Sequence, residues 1–486
     1  MERKWWTLIA VSVAIFMLLL DITVVNVALP SIQHALQSNF QDLQWVVDAY
    51  SLTLAAFLLT GGALADLFGR RLLFTIGLVV FTASSAVCGL STTPLMLNLA
   101  RGVQGVGGAL MFATSLALIA QAFQGRERGT AFGVFGAVTG AAVAAGPLIG
   151  GVITSAIGWE WIFFVNVPIG ALAVVLTLTQ VAESRDPDAS GVDWAGLVTF
   201  SGSLFLLVFA LVRGNTLGWG STEVVAMLSG AAVLLGLFVF AERAQTRPML
   251  DLSLFKRPAF VGANLVAFTL ASSAFAMFLY LTLYIQEVLH YSPLQAGLRF
   301  LPTTLLMFAV APLAGKLSVR VPIRLLLGVG LLFVSGGLLA MTLVSATSGW
   351  TALIPGFVLQ GIGVGLVNPP LASAAVGVVP PARSGMASGA NNTFRQVGIA
   401  TGIAALGAIF QHDLGIGAAA GAVRHASRAE FVGAFTNILQ IAAAVAFVGA
   451  LAAFALVRTK DFVTSQAPAT TRAPAAEREP EPVGMG

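Results

Sequence analysis

The sequence predicts an all-α polytopic membrane protein with about fourteen transmembrane helices. Three observations carry that expectation. Hydrophobic residues make up 57% of the 486 and charged residues 9%, with a mean hydropathy of +0.90, against roughly 25% charge in soluble domains. Apolar runs of about 20 residues, each enough to cross ~30 Å of hydrocarbon as a helix, recur along nearly the whole chain. Basic residues gather in alternate connections, as orientation in a bilayer requires.

The apolar runs, broken at charged, Gly/Pro and polar clusters, place spans at 6–29, 45–64, 72–91, 95–121, 130–155, 162–181, 194–212, 222–241, 259–286, 298–318, 323–346, 351–378, 388–411 and 435–457. The first follows "MERKWW" and is too long for the apolar core of a signal peptide, so it reads as a membrane helix. With the N-terminus inside, 19 of the 25 Lys and Arg residues fall in cytoplasmic segments, 3 in external loops and 3 in or at the edges of helices. An even number of spans returns the C-terminus to the cytoplasm. The expected location is the cytoplasmic cell membrane, multi-pass. Residues 459–486 lack apolar periodicity and are rich in Pro, Ala and Glu, which predicts a disordered cytoplasmic tail.

A repeat runs through the chain. "GALADLFGRRLLFTIGLVV" (62–80) aligns without gaps to "GKLSVRVPIRLLLGVGLLF" (315–333), with seven of 19 positions identical. "QGVGGAL" (104–110) matches "QGIGVGL" (360–366), and Gly129, Ala131 and Gly133 match Gly385, Ala387 and Gly389. The displacement is eight spans. An even displacement keeps both copies in one orientation, so the repeats are parallel and a substrate site is expected near the midplane between them. The expected divisions are a six-helix bundle at 1–181, two inserted helices with flanking loops at 182–258, a second six-helix bundle at 259–458, and the tail.

Three motifs then give a family resemblance. "GALADLFGRR" holds Gly62, Asp66, Gly69, Arg70 and Arg71; Gly69 allows a tight turn and Asp66 can face a helix N-terminus. "RGVQGVGG" puts Arg101 and Gln104 inside the fourth span, where an arginine normally faces the bundle interior or a partner. On the fifth span Gly133, Ala142, Gly146, Pro147, Gly150 and Gly151 form a small-residue series that permits close helix contact, with Pro147 removing a backbone hydrogen bond. In these motifs the chain resembles the major facilitator superfamily, specifically its fourteen-helix drug:proton antiporter branch. The resemblance covers nearly everything but the tail. It implies that the loop after the second span latches the two halves, that Arg101 takes part in proton coupling, and that the fifth-span series belongs to exporters. A basic residue often follows the acid of the latch in the family; here Leu67 stands there.

"FMLLLDITVVNVALP" (16–30) matches the branch's first helix, with Asp21, Thr23, Asn26 and Pro30 in place. At ~1.5 Å per residue, Asp21 lies roughly 12 Å below the external end and Arg101 roughly 9 Å, so the two can share a layer. Two readings follow. Asp21 is desolvated and exchanges a proton, or Arg101 pairs with it permanently and it titrates nothing. Asp48, near the external end of the second span, and Glu287, at the end of the ninth, are weaker acidic candidates. Asn26, Gln104, Asn264, Gln286 and Asn368 are candidates for the substrate cavity, and Asn391 and Arg395 could add polar contacts.

Other classes find little support. The chain has no G-x-x-x-x-G-K-[ST] and no H-E-x-x-H. Its four histidines, His34, His290, His412 and His425, fall in external loops or at helix ends. Its one cysteine, Cys88, reads as a small core residue. No enzyme, no metal, no cofactor and no nucleic-acid partner is expected; the partners are a small amphipathic substrate, protons and lipid, and the chain is taken as a monomer. The function implied is proton-coupled export of amphipathic, often cationic drugs or antibiotics, conferring resistance. The alternatives are an exporter dedicated to one endogenous metabolite and a membrane sensor that does not transport. The tenth span carries no carboxylate, which provides poorly for multiply cationic substrates.

Overall fold

A computed structural model describes residues 2–38, 40–185, 193–245, 250–380, 383–414, 427–458, 461 and 462. The expected tail therefore lies, but for two residues, outside the described residues, as do the side chains of Asn26, Pro147 and Glu287.

Among the described residues every regular element is helical. The membrane-length helices are α1 (Arg3–Leu36), α2 (Phe40–Phe68), α3 (Arg70–Gly89), α4 (Pro94–Ala122), α5 (Gly125–Ala156), α6 (Trp161–Gln180), α7 (Trp194–Leu217), α8 (Thr222–Ala244), α9 (Pro258–Gln286), α10 (Leu301–Leu317), α11 (Ile323–Met341), α12 (Ile354–Gly377), α13 (Ser384–Asp413) and α14 (Arg428–Leu456). Among the described residues twelve of these helices are long and apolar enough to cross a membrane; α5 falls outside that count, and α10, at 17 residues, is apolar but short.

Several ends depart from the sequence expectation. α1 continues to Leu36 rather than stopping before Pro30. A proline halts a helix most firmly where freed backbone groups can turn to water, and membrane helices run through it when neighbours satisfy them. α9 contains a π-helical stretch, Ala271–Phe275, and a second, Tyr284–Val288, begins in its last turn and runs past its end. An i→i+5 turn widens the helix without altering its apolar composition, so hydropathy could not show it.

α1 to α6 pack around an apolar core that includes Leu18, Phe74, Phe112 and Phe132; α9 to α14 pack around another that includes Tyr284, Phe357 and Phe435. The two sets meet along two seams. α2 lies against α13, and α5 lies against α10. Glycines let the backbones touch. A Cβ on Gly62 would collide with the Gly385 carbonyl, and one on Gly315 with the Gly129 carbonyl. Gly62 aligns with Gly315 in the repeat and Gly385 with Gly129, so the two seams are the same contact made twice.

α7 packs on both α2 and α13, and α8 packs on α7. The Thr60 and Ser201 hydroxyls are 3.0 Å apart between α2 and α7. At the other end of α7, Asn215 Nδ2 donates to the Ala404 carbonyl of α13 at 3.2 Å. α8 is mostly uncovered, with Val233, Leu235, Leu237 and Phe240 on its open surface.

Candidate functional site

Three groups of the sequence-predicted residues are brought together. The first centres on Asp21. Its side chain is fully buried and ion-paired with Arg101, Nη1 to Oδ2 at 2.6 Å. Gln104 Nε2 and Asn166 Nδ2 donate to the other carboxylate oxygen at 3.0 and 3.1 Å. Arg101 also donates to Gln104 Oε1 at 2.8 Å and to the Val46 carbonyl at 3.0 Å, and its guanidinium lies 4.2 Å from the Tyr50 ring centre. Asn166 donates in addition to Ser85, whose hydroxyl donates to the Phe163 carbonyl. Buried Cys88 sits 3.6 Å from Gln104 Oε1. The cluster thus joins α1, α2, α3, α4 and α6 through one carboxylate. Gln104, expected toward a substrate cavity, spends its amide on this network. Asn166 and Ser85 were not singled out from sequence; Asn166 lies in a stretch with no other polar neighbour, which is the signal that could have found it.

The second group lies in the loop after α2, which the family resemblance leads one to expect as a latch between the halves. Asp66 accepts from Arg70 Nε and Nη2 at 3.0 and 2.8 Å, and from the backbone N–H groups of Gly385 and Met386 at 3.0 and 2.8 Å. Those are the first amides of α13, which lack partners within their own helix and carry the positive end of its dipole. Gly69 has φ +118°, the left-handed region that glycine enters without strain, and makes the turn between α2 and α3. Arg71 is partly exposed and 3.7 Å from Glu183, whose carboxylate also accepts from the Arg71 and Leu72 backbone N–H groups at the start of α3.

The third is the glycine face of α5. A Cβ on Gly146 would collide with Thr23, and one on Gly150 would lie 3.1 Å from Val24, so this face holds α5 tight against α1 one turn from Asp21. Gly133 sits against Pro312 of α10, with 3.0 Å from a Cβ to the Pro312 Cα. Gly151 faces nothing within 4 Å.

The chain matches the Major Facilitator Superfamily model over residues 11–403. The chain belongs to the Major Facilitator Superfamily. Among curated relatives of this transporter, multidrug resistance protein Stp of Mycobacterium tuberculosis is 39% identical over 404 residues, covering 83% of this chain and 75% of that one. The tetracenomycin C resistance and export protein of Streptomyces glaucescens is 34% identical, covering 85% and 77%. The drug efflux pump JefA of Mycobacterium tuberculosis is 35% identical, covering 85% and 82%. Of solved structures, the proton:xylose symporter XylE has a TM-score of 0.68 at 13% identity, covering 94% of this chain and 96% of that one. That likeness shows the fold alone.

Of the remaining candidates, Asn368, Asn391 and Arg395 line one cavity and Asn264 hydrogen-bonds Asn391, while Asp48 and Gln286 are not part of its lining. Asp48 is buried in α2 with no hydrogen bond or ion pair among the described residues. Asn264 donates to the Phe260 carbonyl and accepts from Asn391. Gln286 is partly buried near the end of α9. Asn368 lines a cavity of about 30 Å³ between the halves, with Phe112, Thr139, Asn392 and Arg395 among the other walls.

Proposed function

We propose that this transporter exports amphipathic drugs or antibiotics across the cytoplasmic membrane in exchange for protons, as a monomer, with the proton gradient as its only energy source and both termini in the cytoplasm. The observation that carries export is the agreement among relatives matched over more than four-fifths of the chain: their names are those of drug resistance, efflux and export proteins. Chemistry on a substrate is not part of this reading, since membership of a transporter family and the absence of a catalytic cluster in the sequence both favour transport.

Asp21 is the proposed proton site. In the conformation described its charge is balanced by Arg101 and shared with two amides, so protonation there would release Arg101 and unseat contacts on five helices at once. That is how a proton could act on helix arrangement. One proton moving inward yields about 1.4 kcal/mol per pH unit and about 2.3 kcal/mol per 100 mV. Each ~1.4 kcal/mol sustains a tenfold substrate gradient. Asp48 supports a second assignment, because it is a buried carboxylate with no hydrogen bond or ion pair among the described residues, the Arg213 charge acting on it without closing a salt bridge, and such a group is a functional candidate in a membrane.

The test is efflux from proteoliposomes under an imposed pH gradient, with a lipophilic cation and a neutral antibiotic as cargo. Loss of gradient-driven flux in a folded Asp21→Asn variant, with Asp48→Asn active, supports Asp21. The reverse pattern moves the proton site to Asp48. Absence of gradient-driven flux of either cargo in the wild type counts against a broad proton-driven exporter.

A further inference from the structure

We infer that the cargo carries an anionic group, a carboxylate or acidic phenol, which Arg395 holds in the central cavity. This deepens the export reading and rests on it for the claim that the bound molecule is cargo.

The charge inventory of the bundle comes first. Between Asp251 and Asp413 the sequence contains a single acid, Glu287, which falls at the end of α9. The acids inside the other half are spoken for or remote. Asp21 is closed on Arg101, Asp66 is closed on Arg70 and the first amides of α13, and Asp48 lies two turns from the start of α2 at the far end from Asp66. Arg101 and Arg70 thus each have a carboxylate. Arg395 has none: among the described residues no oxygen accepts a hydrogen bond from it, and its one notable neighbour is the Phe275 ring, 4.7 Å from the guanidinium carbon.

Its position is where a transporter of this build presents a substrate site. Arg395 is eleven residues into α13, roughly 16 Å from the end of that helix, close to the middle of a ~30 Å hydrocarbon layer. It lines the cavity between α4 and α5 of one half and α12 and α13 of the other. In that same cavity Asn368 is only 8% exposed, and its Nδ2 has no hydrogen-bond partner. A cation without a counterion and an amide donor without an acceptor therefore face one space. Both lack the same thing, an oxygen acceptor bearing negative charge. A guanidinium presents a planar fork that matches a carboxylate with two parallel hydrogen bonds. Phe112 and Phe135 on the opposite wall offer apolar surface to the rest of an aromatic acid.

At about 30 Å³ the cavity is too small for a drug-sized molecule in this conformation. Its walls come from both halves, so it widens when they part at this end. The charge balance also opposes a cationic cargo here, since such a molecule would bring a second positive charge beside an unpaired one.

The experiment uses full-length protein in nanodiscs and two probes of equal size, anthracene-9-carboxylate and 9-anthracenemethylammonium, titrated by fluorescence. The carboxylate should bind at least tenfold tighter than the ammonium. Arg395→Gln should weaken carboxylate binding tenfold or more and strengthen, never weaken, binding of the ammonium, while Arg395→Lys should fall between. Tighter binding of the ammonium than of the carboxylate by the wild type, carboxylate binding that survives in Arg395→Gln, or no carboxylate binding at millimolar concentration would overturn the inference. Asn368→Ala, which removes the second donor without touching the charge, should cost the carboxylate threefold to tenfold and serves if the arginine variants do not fold. Binding needs neither gradient nor turnover. Arg395-dependent carboxylate binding without any flux would therefore uphold the site and sink the export reading; gradient-driven flux of the ammonium alone would do the opposite.

Discussion

Asp21 is the residue on which most depends, because Arg101, Gln104 and Asn166 all donate to its carboxylate and the network around it joins five helices. Replacing it by asparagine leaves the Arg101 guanidinium buried opposite a neutral amide. Removing one partner of a buried pair typically costs about 3–5 kcal/mol. Asp21→Asn and Arg101→Gln should each lower the thermal unfolding temperature in detergent by several degrees. The double variant should be more stable than the sum of the two losses predicts, since the second change relieves the charge stranded by the first. Additive losses would mean the pair is not coupled. The layer shared by Asp21 and Arg101 was legible from counting residues along two helices. The roles of Gln104, Asn166 and Ser85 were not, because an amide in an apolar run can serve a network or a cavity equally well and only the packing of α3 and α6 decides between them.

Among the elements, α2 and α13 show what a repeat can and cannot convey. The alignment of Gly62 with Gly315 and of Gly129 with Gly385 anticipated equivalent positions, and the structure places them on the two seams. It could not indicate that the equivalent positions contact each other crosswise. Nor are the seams equal. Asp66 aligns with Val319, so α10 offers no carboxylate to the start of α5, and among the described residues only the α2–α13 seam is fastened by charge. Hydrogen bonds to a charged group contribute about 1.5–3 kcal/mol each. Asp66→Asn should therefore shift the balance between closed and open ends at least tenfold, read as a distance distribution between spin labels at positions 72 and 383 in a Cys88→Ala background. An unchanged distribution would leave Asp66 a local cap. Steric demands along the glycines separate in the same way. Gly62→Val should reduce flux tenfold or more, because its side chain meets the Gly385 backbone, whereas Gly151→Val should stay within twofold, because nothing stands within 4 Å of it.

The molecule as a whole is asymmetric because of α7. Hydropathy located α7 and α8, and the offset of eight spans marked them as extra to the repeat, but no feature of their sequence says which helices they touch. Thr60 and Ser201 are both buried, at 2% and 8% exposure, while Asn215 at the other end is only half-buried. α7 should accordingly travel with α2 and slip against α13. A disulfide between Thr60→Cys and Ser201→Cys should leave gradient-driven flux within twofold of the reduced protein, and a block on oxidation would show that α7 moves independently. Amphipathic molecules dissolve in the bilayer before they meet a protein, so a route in from the side matters as much as one from the water. α7 stands like a doorpost along one of the two seams, while among the described residues neither α7 nor α8 packs on the other, between α5 and α10. Cargo arriving through the lipid would thus have one flank on which to enter, and the order in which it met Thr139 of α5 and Arg395 of α13 would follow from that handedness.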